Sequence, residues 1–202
     1  MSAESILLSG GIDSTALAHW RRPAVALTVD YGQAAAAGEI RAAVQIAREL
    51  GLSHEIIRVD CGSLGCGDLI GAAPARDAPA PEWWPYRNQF LVTVAAMRAY
   101  ALGMSVLVVG SVKSDGFHAD GRPEFYEQLD TLMAGQEGAL RVIVPAIDMT
   151  SEQLVRASGI PAAILHWTHS CHTDEFACGR CRGCWKHAKV MEQLGYGSAP
   201  AA

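Results

Sequence analysis

The sequence lacks the features of membrane, secreted and disordered proteins. None of its apolar runs reaches the roughly 18 residues of a membrane span, and no cationic stretch followed by an apolar one comes after Met1. Only 18% of the residues are charged and 7% are aromatic, whereas 50% are hydrophobic. This balance argues against disorder. We therefore expect a cytoplasmic protein that does not bind membranes.

The length sets the scale of the fold. A chain of 202 residues is long enough for one globular domain, or for one domain and a small appendage. Such a chain buries about 70% of the surface that its unfolded form exposes, so it needs no disulfide to build a core. The net charge of −5 disfavours non-specific binding along nucleic acid.

Strand-like and helix-like stretches alternate along the chain. Strands are predicted at residues 5–8, 23–29, 54–59, 105–109 and 142–144. Helices are predicted at 13–20, 35–50, 88–102 and 123–134, and a capping box at Thr150 and Gln153 predicts a final short helix. Strands that are apolar on both faces belong in a parallel sheet covered by helices. We predict an α/β, Rossmann-like, mostly parallel sheet of about five strands in residues 1–165, with a small appendage in 166–202.

A glycine-rich turn, residues 9–15, joins the first predicted strand to the first predicted helix. Glycines let the backbone turn tightly and bring its N–H groups close to an anion, and hydroxyls and the helix N-terminus add donors. We predict a pyrophosphate-binding turn formed by Ser9, Gly10, Gly11, Asp13, Ser14 and Thr15. Because Asp13 would repel phosphate directly, its predicted role is to hold Mg²⁺ that accompanies ATP. The alternative is an ordinary turn with Asp13 as the helix N-cap.

The pattern Ser-Gly-Gly-x-Asp-Ser resembles the PP-loop of the ATP pyrophosphatase superfamily. It differs from a Walker loop, which ends in Gly-Lys-Ser/Thr, and from the Gly-x-Gly-x-x-Gly turn of dinucleotide-binding folds. The resemblance implies that ATP binds here, that an oxygen of the substrate is adenylated and that pyrophosphate is released. It leaves the substrate open. Residues 9–15 are called the PP-loop below.

Four of the six cysteines lie close together near the end of the sequence, at Cys171, Cys178, Cys181 and Cys184. In a reducing compartment this spacing favours a metal site over disulfides. Four thiolates suit tetrahedral Zn²⁺ and leave no open coordination position, so we predict structural zinc. The alternatives are an iron–sulfur cluster and a site in which His169 or His172 replaces one cysteine. Basic residues in the same stretch would offset its negative charge; they are Arg180, Arg182, Lys186 and Lys189.

The PP-loop combined with this cysteine pattern resembles the 7-cyano-7-deazaguanine synthase (QueC) family over nearly the whole chain. Further matches are Thr-Val-Asp-Tyr-Gly-Gln at 28–33, Glu39, Pro-Tyr-Arg-Asn at 85–88, and the polar loop 110–122. The resemblance implies an adenine nucleotide alpha hydrolase-like fold and a homodimer. It also implies a reaction in which ATP activates 7-carboxy-7-deazaguanine, ammonia displaces AMP to give an amide, and a second ATP-dependent step gives the nitrile, 7-cyano-7-deazaguanine (preQ0).

Candidate site residues follow from this resemblance and from the rule that ligands of open α/β sheets bind beyond the carboxyl ends of the strands. The catalytic candidates are Asp13, Arg87, Lys113 and Arg122. The ATP contacts, besides the PP-loop, are Val29 and Tyr31. The substrate contacts are Asn88, Phe117 and Asp120. For the three cations the alternative is a solvated surface charge, for Asn88 a helix cap, and for Phe117 or Trp84 core packing.

Two segments depart from the usual family pattern and leave the product open. Alanines occupy residues 34–37, where the family usually continues with Arg-His, and residues 116–122 differ from the family's Ser-Gly-Tyr-Pro-Asp-Cys-Arg. The proline-rich stretch 71–86 is predicted to be a lid or a disordered loop, and Cys61 and Cys66 are interpreted as free thiols. Three hypotheses remain: a nitrile-forming synthase, a related ligase that transfers the acyl group to another amine on a protein or nucleic acid, and a non-catalytic nucleotide-binding zinc module.

Overall fold

The computed structural model of the chain describes residues 3–197, which form one parallel sheet with helices on both faces. The strands are β1 (Glu4–Leu7), β2 (Val25–Asp30), β3 (Ser53–Arg58), β4 (Val106–Val108) and β5 (Arg141–Ile143). Their order is β3-β2-β1-β4-β5, and every neighbouring pair is parallel. The helices are α1 (Ile12–Arg21), α2 (Ala36–Leu50), α3 (Arg87–Ala101), α4 (Pro123–Ala134), α5 (Ser151–Ser158), α6 (Ala162–Leu165) and α7 (Arg182–Gln193). The predicted α/β class is confirmed.

The strands β2 and β4 are largely apolar on both faces because each face packs against a separate layer of helices. Along β2, Val25 and Leu27 point into the cluster formed with α3 and α4. Ala26, between them, points into the opposite cluster, which contains buried residues of α1, α2, α5 and α7. This alternation is the period of two expected of a strand that is covered on both sides.

Local signals in the sequence account for several helix boundaries. Thr150 caps α5 in a reciprocal capping box with Gln153, as predicted. α2 ends at Gly51, whose φ of 65° is a left-handed conformation that suits glycine. The expectation that α5 is the final helix is wrong, because α6 and α7 follow it. The start of α7 was missed because its N-cap is a sulfur, the Sγ of Cys181, which accepts the N–H of Cys184.

The stretch 71–86 contains turns and no regular helix or strand, and it leads directly into α3. The division of the chain into residues 1–165 and 166–202 stays a prediction, and its last residues, 198–202, lie outside the described part. Val190 and Met191 of α7 pack into the same cluster as α1 and α2. Within residues 3–197 no helix is both long and apolar enough to cross a membrane.

The strand order has a topological switch point between β1 and β4. The chain moves outward from β1 to β2 and β3, then crosses back to β4 on the other side of β1. A crevice therefore opens beyond the carboxyl ends of β1 and β4, which is where open α/β sheets bind their ligands. The PP-loop follows β1 directly and so lies at this crevice.

Candidate active site

A cavity of about 480 Å³ lies at this carboxyl edge of the sheet. Its volume is in the range of small-molecule sites, which also combine apolar walls with a few polar groups. The predicted site residues that line it are Ser9, Gly11, Asp13, Ser14, Val29, Tyr31, Arg87, Asn88 and Asp120. The structure thus brings the PP-loop, the end of β2, the start of α3 and the loop after β4 together around one cavity.

The PP-loop is held in a tight conformation by its first glycine. Gly10 has a φ of 79°, and a Cβ at this position would lie 2.8 Å from the carbonyl oxygen of Glu39. Only glycine fits a backbone that is both left-handed and this close to α2. The hydroxyls of Ser9 and Ser14 lie 3.1 Å apart, so both face the same side of the loop. Gly10 and Thr15, which were also predicted to contact ATP, do not line the cavity.

Asp13 lies in the first turn of α1 and faces the cavity. The N-cap of α1 is Gly11, so the alternative in which Asp13 caps the helix is wrong. Oδ2 of Asp13 accepts a hydrogen bond from Nζ of Lys186 at 2.9 Å, whereas Oδ1 is buried and has no hydrogen-bond partner among the described residues. A buried carboxylate oxygen without a partner is available to a cation, so Asp13 fits the predicted role of holding Mg²⁺.

Lys186 also contacts the loop that follows β4. Its Nζ lies 3.1 Å from Oδ1 of Asp115, and Asp115 is itself fixed by the backbone N–H of Val112, at 3.0 Å from Oδ2. Burial alone would lower the pKa of Lys186, but the carboxylates of Asp13 and Asp115 outweigh it and hold the pKa above its usual value. An ammonium group therefore joins α7, the PP-loop and the β4 loop.

A hydrogen-bonded set of polar residues lies in the cavity wall next to β2. The N–H of Tyr31 donates to Oε1 of Gln33 at 2.9 Å, and Nε2 of Gln33 donates to Oε2 of Glu39 at 2.7 Å. Burial raises the pKa of Glu39, and the hydrogen bond from Gln33 and the charge of Arg87 offset only part of that rise. Burial likewise raises the pKa of Tyr31 to about 12, so Tyr31 stays neutral in the physiological range.

Arg87 and Asn88 begin α3, and Asn88 contacts the loop 110–122. Oδ1 of Asn88 accepts from the Arg87 guanidinium at 3.2 Å, and Nδ2 of Asn88 donates to the backbone carbonyl of Asp120 at 3.3 Å. The N-cap position of α3 is Tyr86, so Asn88 is not the helix cap. These contacts fix the spacing between α3 and the loop.

The stretch 71–86 contributes Glu82, Trp83 and Trp84 to the cavity wall. Oε1 of Glu82 lies 2.6 Å from the guanidinium of Arg182 and 3.5 Å from Nε2 of His118. Burial alone would raise the pKa of Glu82, but its own backbone N–H and these two partners hold the pKa below its usual value. Trp84 packs edge-on against Tyr31, with ring centroids 5.2 Å apart. Trp84 is therefore packed in the core, as the alternative interpretation expected, and it also lines the cavity.

Three further candidates, for catalysis or substrate binding, lie outside the cavity lining. Lys113 is exposed, and its backbone N–H donates to the carbonyl of Met149 at 2.9 Å. Nε of Arg122 donates to the carbonyl of Gly116 at 3.2 Å. Phe117 is 55% exposed, and the Arg182 guanidinium lies 4.6 Å above its ring. Short 3₁₀ turns in the loop 110–122 direct these side chains away from the cavity, and their proposed roles stay predictions.

The four clustered cysteines form a group with the geometry of a metal site. Their Sγ atoms all lie within 4.8 Å of one another, and the pairs Cys178–Cys184 and Cys171–Cys181 are each 3.9 Å apart. Tetrahedral zinc with Zn–S bonds near 2.3 Å places sulfurs about 3.8 Å apart. The four thiolates could therefore hold a metal ion, and the geometry is consistent with zinc. The six cysteines are all free, including Cys61 and Cys66.

Sequence reasoning missed the side chains that the C-terminal segment contributes to the cavity. Lys186 and Arg182 were interpreted as balancing the charge of the metal site, but they contact Asp13 and Glu82 instead. Their only signal in the sequence was a basic residue next to the metal ligands. Such a signal says nothing about which carboxylate, far away in the chain, lies opposite.

Comparison with known proteins agrees with the fold and with the motifs. A family model described as "Queuosine biosynthesis protein QueC" matches residues 4–195. A relative named 7-cyano-7-deazaguanine synthase from Acidobacterium capsulatum is 30% identical over 93% of this chain and 91% of its own. Relatives of the same name from Desulforudis audaxviator (30%, over 94% and 96%) and Nitrosospira multiformis (32%, over 89% and 86%) are similar to the chain over most of their lengths. The resemblance found in the sequence is thus confirmed, and the chain belongs to the QueC family.

Proposed function

We propose that this protein uses ATP to convert 7-carboxy-7-deazaguanine and ammonia into 7-cyano-7-deazaguanine. The observation that carries the proposal is that the PP-loop opens into the same cavity as Arg87, Asn88 and Asp120. A phosphate-binding turn and a set of groups suited to a carboxylated heterocycle therefore share one space. The names of the relatives that match the chain over most of its length support the same reaction.

The first step in this proposal activates the substrate. A carboxylate is a poor acyl donor, so a carboxylate oxygen attacks the α-phosphorus of ATP and pyrophosphate leaves, which gives an acyl adenylate. Backbone N–H groups of the PP-loop and the N-terminus of α1 stabilise the phosphates. Asp13 would hold the Mg²⁺ that accompanies ATP, which supplies charge stabilisation at the phosphates. Arg87 is positioned by Asn88 at the cavity wall and is suited to bind the carboxylate in a bidentate way.

The later steps form and then dehydrate an amide. Ammonia attacks the acyl carbon, AMP leaves and one proton is lost, which gives the primary amide. The amide oxygen then attacks the α-phosphorus of a second ATP and pyrophosphate leaves. Loss of AMP and of the remaining N–H protons yields the nitrile. Asn88 and Asp120 are proposed to orient the heterocycle, and Lys113, Phe117 and Arg122 keep their predicted roles only if the loop 110–122 turns inward during the reaction.

A related ligase that transfers the acyl group to an amine on a macromolecule is the second candidate. It is favoured by the alanines at 34–37, where the family usually has Arg-His, and by Trp185, which lines the cavity yet is 63% exposed. An exposed aromatic side chain at a cavity is a feature of partner-binding surfaces. The family resemblance also implies a homodimer, which we propose for either reaction. Light scattering of the purified chain tests this oligomeric state.

One assay separates the hypotheses. The purified protein is incubated with ATP, Mg²⁺, 7-carboxy-7-deazaguanine and ammonium, and the products are identified by mass spectrometry. Nitrile supports the synthase, and AMP release with an adduct on an added protein or nucleic acid supports the ligase. Absence of pyrophosphate under all conditions excludes both and leaves the non-catalytic module.

The matched variants in this assay are Asp13→Asn and Asp148→Asn. Asp13→Asn should lower pyrophosphate release at least 100-fold, because it removes the carboxylate proposed to hold the cation. Asp148 is exposed and does not line the cavity, so Asp148→Asn should react like the wild-type protein. Turnover by Asp13→Asn within threefold of the control would contradict the proposed role of Asp13.

A further inference from the structure

The segment that carries the four cysteines contacts the PP-loop directly. The backbone N–H of His169, two residues before Cys171, donates to the carbonyl of Gly10 at 2.9 Å. Oγ of Ser170 lies 3.2 Å from Nδ1 of His187 on α7. A Cβ on Gly183 would collide with the carbonyl of Ser170, so the first turn of α7 packs closely against this segment. The backbone around the metal site is thus continuous with the wall of the ATP site.

A second contact between the same two regions is ionic. Lys186 follows Cys184 by two residues in α7, and its Nζ hydrogen-bonds both Asp13 and Asp115. Asp115 has other partners in its own loop, but Lys186 is the one hydrogen-bond partner of the Asp13 carboxylate within residues 3–197. The orientation of Asp13 therefore depends on α7, which has Cys181 as its N-cap and Cys184 in its first turn.

Lys186 balances the charge of Asp13 and Asp115 in addition to fixing their positions. The two carboxylates would carry two negative charges at the edge of a cavity proposed to receive ATP, and Lys186 offsets one of them. Like charges in a partly enclosed site repel strongly. Without the ammonium, both the fixed geometry of Asp13 and the local attraction for phosphates are lost.

We propose that Lys186 is a positioning residue of the ATP site, and that through Lys186 the four-cysteine segment contributes to ATP binding. The inference rests on the proposed use of ATP. It assigns to Lys186 the tasks of holding Asp13 against Asp115 and of balancing their charge when the phosphates bind. The alternative is that Lys186 only stabilises the fold through a surface ion pair.

The test compares Lys186→Met with Lys189→Met in the metal-loaded protein. Lys189 lies on the same helix, is exposed and makes no salt bridge within the described part of the chain; its Nζ lies 5.1 Å from the ring centroid of Trp185. The measurement is the affinity for ATP by isothermal titration at two Mg²⁺ concentrations, with cysteine-bound metal and thermal stability recorded for each variant. We expect Lys186→Met to bind ATP about tenfold more weakly, the effect of losing one charge-assisted hydrogen bond, and Lys189→Met to bind it normally.

Magnesium dependence is the measurement that a purely structural role would not change. If Lys186 balances charge, raising Mg²⁺ should restore part of the ATP affinity of Lys186→Met, since a divalent cation replaces the missing positive charge. Lys186→Arg should keep most of the affinity because it keeps the charge. The effect of Asp115→Asn on ATP affinity should differ between the Lys186→Met background and the wild type, because the two residues act together.

The inference is overturned if Lys186→Met binds ATP as tightly as Lys189→Met, or if its loss of affinity is the same at both Mg²⁺ concentrations. Should Lys186→Met fail to fold, Lys186→Gln decides, because it also removes the charge: normal ATP affinity in Lys186→Gln would count against the inference. These measurements need no deazaguanine, so a protein that binds ATP but makes no nitrile would remove the proposed reaction and leave the role of Lys186 standing. A wild-type chain that binds no ATP would remove both.

Discussion

Replacement of Cys181 by serine tests the metal site most directly. Cys181 is 8% exposed, its Sγ lies 3.9 Å from that of Cys171, and it caps α7 by accepting the N–H of Cys184. A serine hydroxyl does not ionise at neutral pH and is a poor ligand for zinc. Because structural zinc contributes about 10–16 kcal/mol in small folded peptides, one ligand of four accounts for about 3 kcal/mol. We expect metal affinity to fall about 100-fold.

The same change should lower the stability of the whole chain, since metal binding is coupled to folding. For a protein of this size, 1 kcal/mol shifts Tm by about 2–4 °C, so Tm should fall by about 6–12 °C. Metal content by mass spectrometry and Tm by calorimetry are measured on the purified variant. Cys66→Ser is the control, because Cys66 is outside the cluster and donates to the carbonyl of Trp83. Full metal content in Cys181→Ser would refute a site made by four cysteines.

Two further changes test the PP-loop and the outer edge of the sheet. Gly10→Ala places a Cβ 2.8 Å from the carbonyl of Glu39 at a positive φ, so we expect ATP affinity to fall at least tenfold. Gly51→Ala is the control, because open space surrounds Gly51 and its ATP affinity, measured by titration, should be unchanged. Equal ATP affinities of the two variants would contradict the strain argument. The hydrogen bond from Arg141 holds the pKa of Asp130 below its usual value, so this pair stabilises the fold above about pH 4 and stops doing so as pH falls through the folded pKa. Asp130→Asn should therefore lower Tm at pH 7 and flatten its decline between about pH 5 and 2, and an unchanged pH profile would show that the pair contributes nothing.

The sequence contained enough local information to predict most of the sheet. Runs such as residues 105–109 are almost entirely apolar, which identifies strands buried on both faces, and the glycines of the PP-loop identify the turn that follows β1. The cysteine spacing predicted the metal cluster because all four ligands lie within a short stretch. In each case the residues that interact are near one another in the chain or follow a simple period.

The contacts that complete the site could not be predicted in this way. Lys186 and Asp13 are 173 residues apart, and Arg182 and Glu82 are 100 apart, and a single sequence contains no signal that pairs them. Topology indicated that the loop 110–122 lies at the right edge of the sheet. It could not indicate that 3₁₀ turns direct Lys113 outward while Asp115 points inward, since that depends on the packing of α4 and α7.

The hydrogen bond between His169 and Gly10 affects the order in which the chain folds during translation. All five strands lie before residue 144, so the sheet can assemble while the cysteine segment is still being translated. The PP-loop, by contrast, acquires two of its supports only after residues 169 and 186 have left the ribosome and the cysteines have come together. A nascent chain would therefore hold a folded sheet before the proposed nucleotide site is complete, and metal binding by the four cysteines is proposed to complete it.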